Sequence, residues 1–198
     1  MSIINLPPVA GTTPVSLAES MATAIVPDAG DLVGQAMRYA LNCHEHTNHR
    51  YAGRAYATHL KMVYDYGRKY VHLLPVASRS SVLAACWTHD TIEDCRQSYN
   101  DVKAACGHEV AEITYALTTE KGRNRSERAN SRYYEGIRAT PFAAFVKVCD
   151  RLANVGFSTH HSTRMLSTYR GEQAAFRQEL WAEDYRAMFE ELENTLMS

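Results

Sequence analysis

The run Ser81-Val82-Leu83-Ala84-Ala85-Cys86-Trp87-Thr88-His89 constrains this chain more than any other stretch. Its apolar residues occupy nearly the whole circumference of a helix instead of one stripe. Such a helix is stable only when it is covered on every side. It therefore requires further helices around it, and the flanking sequence supplies them. Apolar residues recur at helical spacing almost everywhere from Asp31 onward, and no segment shows the alternation of a strand. The expected class is all-α, with the 81–89 helix at the centre.

Asp31 is placed to cap a first helix reaching about His49, with Leu32, Ala36, Tyr39, Ala40 and Cys43 along one side. Tyr51 to Gly53 interrupt the pattern, and a second helix covers about Tyr56 to Leu73. Pro75 and the serines that follow separate it from the central helix. Ser98 caps Tyr99–Ala105, and Gly107 divides that helix from Glu109–Leu117. Thr118 to Arg128 reads as a polar, basic loop. Two helices are expected over about Glu127–Ile137 and Pro141–Asn154, with Pro141 in the first turn of the latter. A last helix is expected over about Glu172–Met197. Residues 1–29 differ: they carry Pro7, Pro8, Pro14 and Pro27 and few charges. They read as an arm that packs on the domain or a neighbouring subunit, or stays disordered, with Ser16–Ile25 as a short helix candidate. The remainder, 30–198, is expected to be one domain.

Charge and cysteine content exclude several classes. The formal net charge is −1 over 198 residues, so bulk electrostatics do not support a nucleic-acid partner. The 45% hydrophobic content argues against general disorder. Five cysteines with no CxxC pair do not make a disulfide framework or a cysteine-based zinc site, and they read as buried thiols. No apolar run reaches the ~20 residues of a membrane span, and there is no signal-peptide pattern. A cytoplasmic protein without a membrane partner is expected.

Chemistry concentrates in three places: His59, the pair His89-Asp90, and Asp150 within Lys147-Val148-Cys149-Asp150-Arg151-Leu152. Each lies in or at the end of an apolar helical run. A buried carboxylate without a partner costs several kcal/mol, on the order of a lost ion pair. A divalent cation is one such partner, and two imidazoles with two carboxylates suit Mn²⁺, Fe²⁺ or Zn²⁺. Taken singly, His59 also fits a helix-end histidine and Asp150-Arg151 a surface ion pair.

The order H…HD…D resembles that of the HD-domain phosphohydrolases, and more closely the hydrolase domain of the RelA/SpoT family, including its free-standing small alarmone hydrolases. Four stretches carry the likeness. Arg50-Tyr51-Ala52-Gly53-Arg54-Ala55-Tyr56-Ala57-Thr58-His59 resembles R-x-S-G-x-P-Y-x-x-H. His89-Asp90-Thr91-Ile92-Glu93-Asp94 resembles H-D-T-[VI]-E-D. Cys106-Gly107-His108-Glu109-Val110-Ala111 with Leu117-Thr118 resembles F-G-x-x-V-A…V-T. Lys147 to Val155 resembles K-L-A-D-R-L-x-N-[ML]. The likeness spans about residues 36–160.

The resemblance implies an HD-domain helical bundle with one divalent-metal site, usually Mn²⁺, held by His59, His89, Asp90 and Asp150. It implies that Glu93 and Asp94 orient water and move its proton. The implied reaction is hydrolysis of the 3′-pyrophosphate of guanosine alarmones, (p)ppGpp, to GDP or GTP and pyrophosphate. Arg50 would pack on the base and Asn154 lie near the nucleoside, while Lys147 and Arg151 supply positive charge for phosphates. Arg54, Ala55, Leu60 and Thr88 depart from the family pattern, mostly on the nucleoside side. No synthetase domain is expected after residue 160. A nucleotidase or NADPH 2′-phosphatase on the same scaffold is the alternative, followed by a non-catalytic nucleotide-binding module. A homo-oligomer is compatible with all of these.

Overall fold

Asp31 caps the first helix. In this computed structural model, which describes residues 31–119 and 121–198, its carboxylate accepts a hydrogen bond from the Val33 amide at 3.1 Å. That satisfies one of the free donors of a helix start. The helix, α1, runs Leu32–His46. The arm at residues 1–29, with its helix candidate, lies outside the described residues.

Where helical periodicity breaks, the chain forms a small hairpin that the sequence pattern did not lead us to expect. Strands β1 (Arg50–Tyr51) and β2 (Arg54–Ala55) pair antiparallel, with Tyr51 opposite Arg54. Ala52 and Gly53 form the turn with φ of 49° and 81°. A two-residue hairpin turn with both central residues left-handed, the type I′ form, favours a glycine, which Gly53 supplies.

Four of the next helices follow expectation closely, α2 (Ala57–Lys69), α3 (Arg79–Thr88), α5 (Tyr99–Cys106) and α6 (His108–Leu117), and a short α4 (Thr91–Asp94) that was not expected lies between α3 and α5. Ser98 and Asp101 form a reciprocal capping box at α5. Helix α3 is central as its all-round apolarity requires, packing against α1, α2 and α6. Val82, Ala84, Ala85, Cys86 and Trp87 are fully buried. At Gly67 a Cβ would lie 2.8 Å from the Cys86 Sγ, so glycine permits α2 and α3 to approach closely there. All five cysteines are buried free thiols.

The second half departs from expectation in four places. The helix expected at 127–137 is two, α7 (Arg125–Arg128) and α8 (Ser131–Ala139). Asn130 separates them by capping α8, accepting from the Tyr133 amide at 3.1 Å. Helix α9 begins at Ala143, not Pro141, because Phe142 is left-handed at φ 63°. It continues to His161, seven residues past the expected end. The expected helix 172–197 is α10 (Thr163–Leu180) and α11 (Arg186–Met197), parted by extended backbone at Trp181 and Ala182. Helix α9 packs against α2, α10 and α11, so it joins the two halves of one bundle. No helix of the described residues is long and apolar enough to cross a membrane.

Candidate metal centre

His59 stands in the first turn of α2, and His89 follows the last residue of α3. The helices pack side by side, which brings the two imidazoles together: their Nε2 atoms are 3.2 Å apart. The chain then turns through Asp90 into α4, so Asp90 faces the same point. Its Oδ2 lies 2.9 Å from His89 Nε2 and 3.5 Å from His59 Nε2. Asp150, in the middle of α9, closes the group with Oδ1 3.3 Å from His59 Nε2 and 3.9 Å from His89 Nε2.

Donors bound to one ion at ~2.1 Å stand ~3–3.5 Å from one another, so the set has the spacing of a coordination shell. His59, His89 and Asp150 each offer one atom within 4.8 Å of the others, and Asp90 shares both imidazole nitrogens. The tautomer of His89 also fits. Its Nδ1 lies 3.1 Å from the Cys86 carbonyl, so Nδ1 carries the hydrogen and Nε2 presents a lone pair to the cluster. His59 Nδ1 is buried and has no hydrogen-bond partner among the described residues.

A second layer holds the carboxylates. Lys147 donates to Asp150 Oδ2 at 2.9 Å and Asn154 Nδ2 donates to Asp150 Oδ1 at 2.5 Å. Tyr51, from the hairpin, donates to Asn154 Oδ1 at 2.8 Å and stacks on the His59 ring at 4.8 Å. Tyr56 donates to Asp90 Oδ2 at 2.5 Å. Thr88 is buried and shares a 2.6 Å hydroxyl contact with Thr114. The two buried hydroxyls are therefore matched across the core.

The charges are tightly linked. Burial acts to raise the Asp150 carboxyl, but Lys147 and the two histidines outweigh it and hold it well below the carboxylate range. Burial likewise opposes ionisation of Asp90, and His89 and His59 overcome it. Burial would lower His59, yet hydrogen bonds to Asp150 and Asp90 win and raise it to about 9. With no metal bound, a protonated His59 thus supplies the positive charge that two adjacent carboxylates need. A divalent ion would displace that proton.

His59, Asp90 and Asp150 of the cluster line an open cleft of about 400 Å³. Glu93 and Asp94 line it beside the cluster. Lys147, Arg151, Asn154, Arg125, Arg128, Tyr133 and Tyr169 line it too. Glu93 is occupied, accepting from the Thr119 amide at 3.0 Å and its hydroxyl at 2.8 Å. Asp94 is differently placed. Burial and the neighbouring charges of Asp90 and Glu93 raise its carboxyl to about 7. Arg151 is buried, paired with Glu172 at 2.8 Å, with its guanidinium 4.4 Å from the Phe176 ring centre and 4.8 Å from that of Tyr169. Arg50 stands apart: it bonds Asn48 and lines a neighbouring pocket with His44, His49 and Tyr56.

Sequence reasoning assigned Lys147 and Asn154 to substrate, whereas here both are bonded to Asp150. Their spacing three before and four after Asp150 is the signal that places all three on one helix face. It missed Tyr51 and Tyr56, which reach the cluster through the fold alone. Comparison with models of known protein families and with curated proteins found no match.

Proposed function

We propose that this protein is a metal-dependent phosphohydrolase of the HD type, acting on the 3′-pyrophosphate of (p)ppGpp. One observation carries the reading: the Nε2 atoms of two imidazoles stand 3.2 Å apart, two carboxylates lie 2.9–3.9 Å from them, and a further carboxylate, Asp94, lies beside the group in a cleft rimmed by arginines. His59, His89, Asp90 and Asp150 would hold the ion, with Mn²⁺ the expected metal. When bound, that ion would supply Lewis acidity towards water and the phosphorus centre.

The chain's own residues supply the rest. Asp94 has a carboxyl near neutrality, suited to take a proton from attacking water and pass it on. Glu93, anchored on Thr119, fixes the edge of the site where that water would stand. Lys147 and Asn154 lock the Asp150 carboxylate, and Tyr56 locks Asp90, so the donor set is pre-organised. Arg125 and Arg128 offer charge to phosphate oxygens at the mouth of the cleft. Water attacks the phosphorus attached to the ribose 3′ oxygen, the P–O3′ bond breaks, and that oxygen leaves protonated. GDP or GTP and pyrophosphate result.

One observation favours a second reading, a nucleotidase or NADPH 2′-phosphatase with the same ligands. Arg50, the residue the resemblance assigns to the base, lies outside the cleft. The deciding experiment is a Mn²⁺-supplemented assay of the purified protein on ppGpp, with NADPH and ordinary nucleotides alongside. Pyrophosphate release from ppGpp alone is the expected result. Turnover confined to the other phosphates would transfer the protein to the second reading.

A further inference from the structure

Asp150, Asn154, Phe157 and His161 recur at intervals of four, three and four residues along α9. They form a single stripe on the helix surface. The stripe starts at the candidate metal centre and runs outward. The hairpin lies over it. Tyr51 meets Phe157 edge-on at 4.8 Å. Arg54, opposite Tyr51 across the hairpin, holds its guanidinium 5.4 Å from the Phe157 ring centre.

Arg54 is positioned, and its charge is unanswered. His161 Nδ1 lies 2.9 Å from the Phe157 carbonyl, so it carries the hydrogen and leaves Nε2 as an acceptor. Arg54 Nη2 donates to that Nε2 at 3.3 Å. The His161 ring itself stacks on Phe157 at 4.0 Å and 9°. Two of the arginines that line the cleft differ: Arg125 and Arg151 both pair with Glu172. Among the described residues Arg54 has no carboxylate partner, although the residue is exposed at the protein surface. A guanidinium backed by an aromatic face and left without an anion is well suited to a phosphate. Phe157 is seven residues from Asp150, about 10 Å along the helix. A ribose bearing a diphosphate arm covers such a span.

We propose that Arg54, oriented by Phe157 and His161, is a second phosphate subsite that takes the phosphates the enzyme does not hydrolyse, those on the 5′ side of the substrate. This rests on the phosphohydrolase reading above. It makes Arg54 a specificity-determining residue: the preferred substrate carries phosphate at both ends of its ribose. The hairpin sets the spacing between the two phosphate positions, because Tyr51 and Arg54 are cross-strand neighbours on one face.

The test compares ppGpp with guanosine 3′-diphosphate lacking the 5′ phosphates. Wild-type protein should show a KM about tenfold lower for ppGpp. Arg54→Gln should erase that difference by raising KM for ppGpp, with kcat within about twofold, and Arg54→Lys should restore part of it. An unchanged KM ratio in Arg54→Gln overturns the proposal. Hydrolysis of neither compound would defeat the alarmone reading, and the subsite is then judged by a separate titration of inorganic pyrophosphate into metal-free protein. Weaker binding in Arg54→Gln but not in His59→Ala supports the subsite. Equal binding by wild type and Arg54→Gln refutes it.

Discussion

The two walls of the cleft are built on different principles. On the cluster wall the donors sit in helices or at their ends, and three of the four are already engaged from behind: His89 by a carbonyl, Asp90 by Tyr56, Asp150 by Lys147 and Asn154. On the opposite wall, Arg125, Ser126 and Arg128 are exposed residues of a single short helical turn. Arg128 has no ion-pair partner among the described residues. The first wall spends its hydrogen bonds on fixing geometry before anything binds, as chemistry on a metal requires. The second holds Arg125 on Glu172 but keeps the Arg128 charge adjustable, as recognition of a phosphate allows. Substitutions on the two walls should therefore fail in different ways.

The largest effect is expected at Asp94. Asp94→Asn should lower kcat by ~10²–10⁴-fold while bound metal, measured by elemental analysis, stays the same. Glu93→Gln should cost less, because both Glu93 oxygens are already committed to Thr119. A larger loss at Glu93 than at Asp94 would reverse the two roles.

Next come the residues behind the ligands. Asn154→Ala or Lys147→Met should weaken Mn²⁺ affinity by ~10–100-fold in a chelator competition. Unaltered affinity would mean that the network around Asp150 is ordinary packing.

A third test uses pH. His59 is raised from 6.5 to about 9 in the metal-free fold. Its stabilising contribution is therefore complete below about pH 6.5 and lost as pH rises through 9. Chelated protein should melt at progressively lower temperature across that interval. Metal-loaded protein should not, since metal binding requires His59 to be unprotonated and gains as protons leave. Identical pH profiles with and without chelator would argue against a cation at this cluster. The smallest effect is expected across the cleft: Arg128→Gln should raise KM only ~2–10-fold and leave kcat and melting temperature unchanged.

Much of the architecture is legible in the residues. The all-round apolar segment 82–87 dictates a central helix, and Asp31 and Ser98 cap helices as their types and positions require. The divided C-terminal region was within reach: Leu166, Tyr169, Phe176 and Leu180 are buried at helical spacing in α10. They are diluted there by Arg164, Arg170, Glu172, Arg177 and Glu179, which obscures the stripe. The hairpin was harder to see, since two-residue strands carry no alternation and only Gly53 marks the turn.

The sequence by itself determined an all-α chain and the order of its imidazoles and carboxylates, because periodicity and residue type are local properties. Tertiary structure alone decided that His59 and His89 meet at 3.2 Å, that Tyr51 reaches Asn154 across 103 positions, and that Arg50 stays outside the cleft while Arg54 settles on Phe157. Those distances depend on how closely α2 and α3 approach at Gly67 and on where a two-residue turn aims its arginine. Both are set by packing between segments far apart in the chain, which local patterns do not encode.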